Sequence, residues 1–276
     1  MRPAPLAYPP PASAPLPRKA FVIGDVIGHT FSAWWHHVVP FSLLSVFANA
    51  PVFLLGLLSG TPIPGFTAPA TNPFDRAALA AEAARATPQG FWLAYAVTML
   101  LFLVVAGAIT HGVIHHLAGK PVSLGSMVAT GIRRFLPLLA VGVICYVIIV
   151  LGLVLLIVPG VFLACALAAA VPAVVVERPG IFGAIKRSFA LTRGRRFAIF
   201  VAFLVFLVVA FTVSMLGSIL LPLLTASFAP LAGTLVGLAL NVVFGTLLWV
   251  APGVIYHDLR VSKEGVDTVQ LAAVFD

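Results

Sequence analysis

The chain has 276 residues, of which 61% are hydrophobic and 9% charged, at a mean hydropathy of +1.13. An ordinary soluble domain is about one quarter charged, so a water-soluble fold of this length is excluded: it could not bury so much apolar surface. The net charge of +8 would suit a nucleic-acid partner, but the cations sit in short loops beside apolar runs, as membrane orientation requires, and no nucleic acid is expected.

A transmembrane helix needs about 20 apolar residues to cross roughly 30 Å of hydrocarbon. Six stretches meet that requirement, predicting an all-α, polytopic membrane protein with six transmembrane helices and short amphipathic interfacial helices. Residues 1–20 read as a disordered, Pro/Ala-rich N-terminal tail without the apolar centre of a secretory signal. Residues 21–257 form the six-helix transmembrane domain. Within it, residues 21–37 mix apolar and polar side chains and carry the pair Trp34 and Trp35, which suits a helix in the headgroup layer. The first span follows over 38–59. An extracytoplasmic loop, 60–90, contains a short helix begun by Asn72, Pro73 and Asp75.

The second span, 91–114, carries Trp92 and Tyr95 at its outer end and emerges into His115, His116 and Lys120. An amphipathic segment, 122–134, leads into span three, 135–158. Pro159 and Gly160 predict a tight reversal, because proline presets a turn and glycine permits positive φ. Span four, 161–176, contains Pro172. In the basic stretch 177–196, Ile181, Phe182, Ile185 and Phe189 recur at helical spacing, opposite Lys186 and Arg187. Spans five and six cover 197–221 and 231–255, and 258–276 is a polar, cytoplasmic C-terminal tail. Glycines near 24, 125 and 183 begin segments that each precede a pair of spans, the outline of a threefold repeat.

Every Lys and Arg except Arg76 and Arg85, fourteen of the sixteen, falls on the side that holds both tails and the loops at 120–134 and 178–196. The positive-inside rule makes that side cytoplasmic. The expected location is therefore a bacterial cytoplasmic (inner) membrane, with both termini in the cytoplasm.

Five histidines are weak candidates for metal: His111 and His115 stand four apart on one helical face, His116 adds a third imidazole, and His36 and His37 lie level with them on the preceding segment. At about 1.5 Å per residue from Phe91, His111 lies about 30 Å along its helix, at the inner interface. Interfacial polar trim accounts for these residues as well, so no metal and no cofactor is assigned. The apolar cores hold no Asp, Glu, Lys, Arg or His, which argues against a proton-driven pump. Pro51 and Pro172 could break their spans, as in carriers, or merely kink them. Gly233, Gly237, Asn241 and Gly245 make a small-residue stripe suited to helix packing, within the chain or between subunits. Arg187, Arg193, Arg195 and Arg196 are candidates for lipid headgroups, since each juxtamembrane cation contributes about 1 kcal/mol near an anionic leaflet. A plain topogenic signal explains them equally. Cys145 and Cys165 lie in apolar spans, and no catalytic motif is present.

Two runs carry a family resemblance. One holds Val158-Pro159-Gly160, Val174 to Glu177, Ala184, Arg187-Ser188-Phe189 and Leu191-Thr192-Arg193-Gly194-Arg195; the other holds Tyr256, Asp258-Leu259-Arg260, Lys263-Glu264-Gly265 and Asp267. Together they resemble a bacterial six-helix family labelled the glycerophosphoryl diester phosphodiesterase membrane domain, which occurs alone or fused ahead of phosphodiesterase catalytic domains. No hydrophilic segment here is long enough for such a barrel. The resemblance therefore implies the membrane domain only, linked to envelope or lipid biology, with no catalytic residues to assign. The first functional reading is a non-enzymatic scaffold or lipid-engaging protein. Its expected partners are membrane lipids, anionic ones among them, and a second copy or another membrane protein. A transporter or permease for a small or lipidic solute is the second reading, and a histidine-dependent membrane metalloenzyme the third.

Overall fold

The computed structural model describes residues 20–59, 91–225, 236, 239–240 and 242–265. Among them are ten helices and no strand: α1 Ile23–His36, α2 Val38–Ser59, α3 Phe91–Leu117, α4 Leu124–Arg133, α5 Phe135–Leu155, α6 Ile157–Leu167, α7 Ala170–Val176, α8 Ile181–Thr192, α9 Arg196–Thr225 and α10 Leu247–Glu264. Six stretches are long and apolar enough to cross a membrane: Val38–Leu55, Trp92–Leu117, Phe135–Leu155, Ile157–Val176, Arg196–Gly217 and Val242–Glu264. Their outer faces carry exposed Leu155, Val158, Phe197 and Phe211, an apolar surface for which lipid is the fitting solvent. The chain is a multi-pass membrane protein. The short helices α1, α4 and α8 each precede two spans, so one helix–span–span unit occurs three times.

Proline sets the helix boundaries one turn upstream of itself. A proline ring clashes with the carbonyl four residues earlier and offers it no N–H. Helix α1 ends at His36 before Pro40, α4 at Arg133 before Pro137, and α5 at Leu155 before Pro159. In each case the proline occupies the third position of the next helix, where its missing N–H is no loss. The reversal expected at Pro159-Gly160 is therefore corrected. The chain turns at extended Leu156 (φ −163°, ψ 148°), and Gly160 lies inside α6. Its role is close approach, since a methyl group there would meet the Leu153 backbone nitrogen at 2.6 Å.

Pro172 interrupts the fourth span at Ala168–Ala169, between α6 and α7. The backbone groups near the break are met by α8. Ser188 Oγ donates to the Ala166 carbonyl at 2.7 Å and accepts from the Ala169 N–H at 3.2 Å, while Thr192 Oγ1 donates to the same Ala166 carbonyl at 3.2 Å. Side-chain hydroxyls of this kind let a broken helix persist in lipid. Pro51, by contrast, lies within continuous α2.

The short helices are parts of the bundle. On α1, Val26, Thr30, Ala33 and Trp34 are buried against α9 and α10. The two tryptophans expected at the headgroups divide: Trp34 is buried and donates Nε1–H to Thr246 Oγ1 at 2.9 Å, whereas Trp35 is 70% exposed. Helix α4 lies along α3, where a side chain at Gly131 would collide with the Val104 carbonyl. On α8 the buried face is Ala184, Ser188, Leu191 and Thr192, and Phe182 of the apolar stripe is 72% exposed.

The expected C-terminal tail is corrected at its start. Residues 258–264 continue α10, with Tyr256, His257 and Leu259 buried. His29 Nδ1 contacts both carboxylate oxygens of Asp258 at 3.1 Å, so α1 meets the last turns of α10 at one end of the bundle. The Pro/Ala-rich stretch before Ala20, the loop 60–90 with its short helix, the remaining tail 266–276, and Gly233, Gly237 and Asn241 of the small-residue stripe lie outside the described residues. Gly245 is described, and a methyl group there would meet nothing within 4 Å.

Candidate functional site at the basic end of the bundle

The sequence places Glu177 at the end of α7, Arg187 in the middle of α8, and Tyr256, Arg260 and Glu264 at four-residue intervals along one face of α10. The fold brings these five together. Arg187 Nε donates to Glu177 Oε1 at 2.9 Å and Oε2 at 2.7 Å, and its Nη2 pairs with Glu264 Oε1. Tyr256 donates its hydroxyl to Glu177 Oε1 at 2.8 Å; Arg260 Nε donates to Glu264 Oε2 at 2.8 Å and lies 3.6 Å from Glu177 Oε1. Two cations and two anions balance. Burial by itself would lower the pKa of Arg187, but hydrogen bonds and charge from Glu177 and Glu264 outweigh it and carry the pKa above its ordinary value. Such a cluster fastens the fourth span, α8 and α10 to one another. Arg187, expected among the lipid-facing cations, is instead enclosed by two carboxylates.

The turn after α8 is different. Lys263 Nζ donates to the carbonyls of Ala190 at 2.8 Å and Arg193 at 2.7 Å, capping the end of α8. It lies within electrostatic reach of Arg193, Arg195 and Arg196. Among the described residues no carboxylate pairs with any of these four cations. Arg196 is held between Phe162 and Phe189, its guanidinium 4.4 and 5.4 Å from their ring centroids, and its buried Nε has no hydrogen-bond partner among the described residues. Arg195 lies 5.9 Å from the Phe21 ring. Cations over aromatic faces are partly desolvated and strengthen as anion sites.

The five candidate histidines separate into two groups. His37 Nε2 and His116 Nδ1 are 3.1 Å apart, with His36 beside His116. His111 and His115 stack at 4.1 Å, and His111 faces Ser126 and Thr130 of α4 at 3.3 Å each. Among the described residues no group of three or more His, Cys, Asp or Glu side chains has the geometry to hold a metal ion. Burial lowers the pKa of His37, and the neighbouring charge of His36 lowers it further.

The charge-balanced cluster was visible in the sequence only as isolated marks of a resemblance. Tyr256, Arg260 and Glu264 have the i, i+4, i+8 spacing of one helical face, a signal hidden by reading 258–276 as a tail. Ser188 and Thr192 likewise show their purpose only beside the broken span. No protein-family model, curated protein or solved structure matches the chain.

Proposed function

We propose that this chain is a non-enzymatic protein of a bacterial cytoplasmic membrane, with its basic end inside the cell, and that this end holds anionic lipid headgroups. One observation carries the reading: Arg193, Arg195, Arg196 and Lys263 form a cationic group without carboxylate partners, directly beside a cluster in which every charge is balanced. Negative phosphates meet about 1 kcal/mol of attraction per juxtamembrane cation. The cytoplasmic orientation is supported by the placement of fourteen of the sixteen Lys and Arg residues. The resemblance to the glycerophosphoryl diester phosphodiesterase membrane domain agrees with a lipid-related task, since the residues that carry it include those of the balanced cluster and of the cationic turn. Native mass spectrometry tests the reading. Replacing Arg193, Arg195 and Arg196 by Gln should reduce retention of phosphatidylglycerol relative to the unaltered protein, and equal retention would refute the lipid assignment.

A carrier for a small or lipidic solute is the second reading, supported by the interrupted fourth span, because broken helices line solute sites in several transporter folds. Solute flux into reconstituted vesicles tests it.

A further inference from the structure

We propose that the cavity between α1 and α10 is a binding site for a primary ammonium group. The cavity measures about 220 Å³, below the roughly 300–1,000 Å³ of drug-sized pockets, so it fits one small headgroup. Asp25 and His29 from α1 and His257 and Asp258 from α10 line it, together with apolar residues that include Phe21 and Leu117; neither lysine nor arginine does.

The hydrogen bonds define what the wall offers. A carboxylate only accepts, so Asp258 must receive N–H donors from His29 Nδ1, at 3.1 Å to each oxygen, and from His257 Nδ1, at 2.9 Å. A neutral ring that donates from Nδ1 presents Nε2 as an acceptor. His257 is 4% exposed, and its Nε2 has no hydrogen-bond partner among the described residues. A buried acceptor without a donor is an unfavourable arrangement that a bound donor relieves. Two carboxylates in the same wall favour a positive charge on that donor. The residues do not have metal-holding geometry, which selects a group with directional N–H bonds over a bare ion. An alkylammonium meets each condition: it brings three donors and one positive charge, and the apolar part of the wall accommodates its carbon atoms. Both a free small amine and the ethanolamine headgroup of an aminophospholipid offer this chemistry.

Thermal unfolding of the full chain in detergent, with ethylammonium or tetramethylammonium chloride added, separates directional binding from simple charge attraction. Ethylammonium should raise the midpoint in a saturable way, and tetramethylammonium, which has the charge but no N–H, should not. Equal responses, or none to either ion and no preference among lipids, overturn the proposal. Native mass spectrometry from bilayers of equal phosphatidylethanolamine and phosphatidylcholine distinguishes the sources: selective retention of phosphatidylethanolamine identifies the lipid, and an ethylammonium response without it identifies a free amine. His257→Leu removes the acceptor and should weaken ethylammonium binding by about tenfold or more, whereas His257→Gln, which supplies a carbonyl acceptor, should retain most of it. Unchanged affinity in His257→Leu also overturns the assignment.

Discussion

Replacing Glu177 by Gln tests whether the charge-balanced cluster holds the fourth span, α8 and α10 together. The substitution preserves shape and removes one of two negative charges, leaving Arg187 and Arg260 to share Glu264. At the contact distances of 2.7 to 3.6 Å, the lost attraction is roughly 5 kcal/mol at an effective dielectric of about 20. The side chains keep 15 to 26% of their exposure. Solvent screening and relief from desolvating the carboxylate therefore reduce the net loss to about 1.5–3 kcal/mol. At about 2–4 °C per kcal/mol, the unfolding midpoint should fall by about 3–12 °C. Tryptophan fluorescence during heating in detergent measures this, with buried Trp34 at the α1–α10 contact as a reporter. The cycle with Arg187→Gln should be non-additive by about 1 kcal/mol or more, because the double variant removes a pair and leaves no orphaned charge. An unchanged midpoint for Glu177→Gln, or strict additivity, would refute the reasoning.

Ser188→Ala should cost about 1–3 kcal/mol in the same melting assay, since it leaves the buried Ala169 N–H and Ala166 carbonyl without their hydroxyl partner. Gly131→Ala should destabilise by roughly 1–3 kcal/mol through collision with the Val104 carbonyl. Gly245→Ala, in open space, should instead gain up to about 1 kcal/mol from helix propensity; reversal of that order would discredit the α3–α4 packing. His37 has a lowered native pKa, so below pH 6.5 the unfolded chain takes up a proton that the folded chain resists, and stability should decline as pH falls through that value. Unfolding midpoints between pH 7.5 and 5 should show a smaller acid decline in His37→Gln than in the unaltered protein.

Composition and hydropathy by themselves determined that this chain crosses a membrane six times, because the length of an apolar run and the thickness of a bilayer are both fixed quantities. The short helices before each pair of spans were legible too, from their mixed polarity and helical spacing. Helix boundaries were harder, since a proline acts on the carbonyl a full turn before it: Pro159 looked like a reversal and instead opens α6, with the turn at Leu156. Residues 258–264 looked like a tail because charge was taken as a sign of solvent. Only the tertiary structure supplied the partners that make those charges tolerable, bringing Glu177, Arg187, Arg260 and Glu264 to one place from segments up to 87 positions apart. Pairing between distant residues leaves no local periodicity, which is why the balanced cluster, the hydroxyls beside the broken span and the His29–Asp258–His257 contacts emerged from the fold alone.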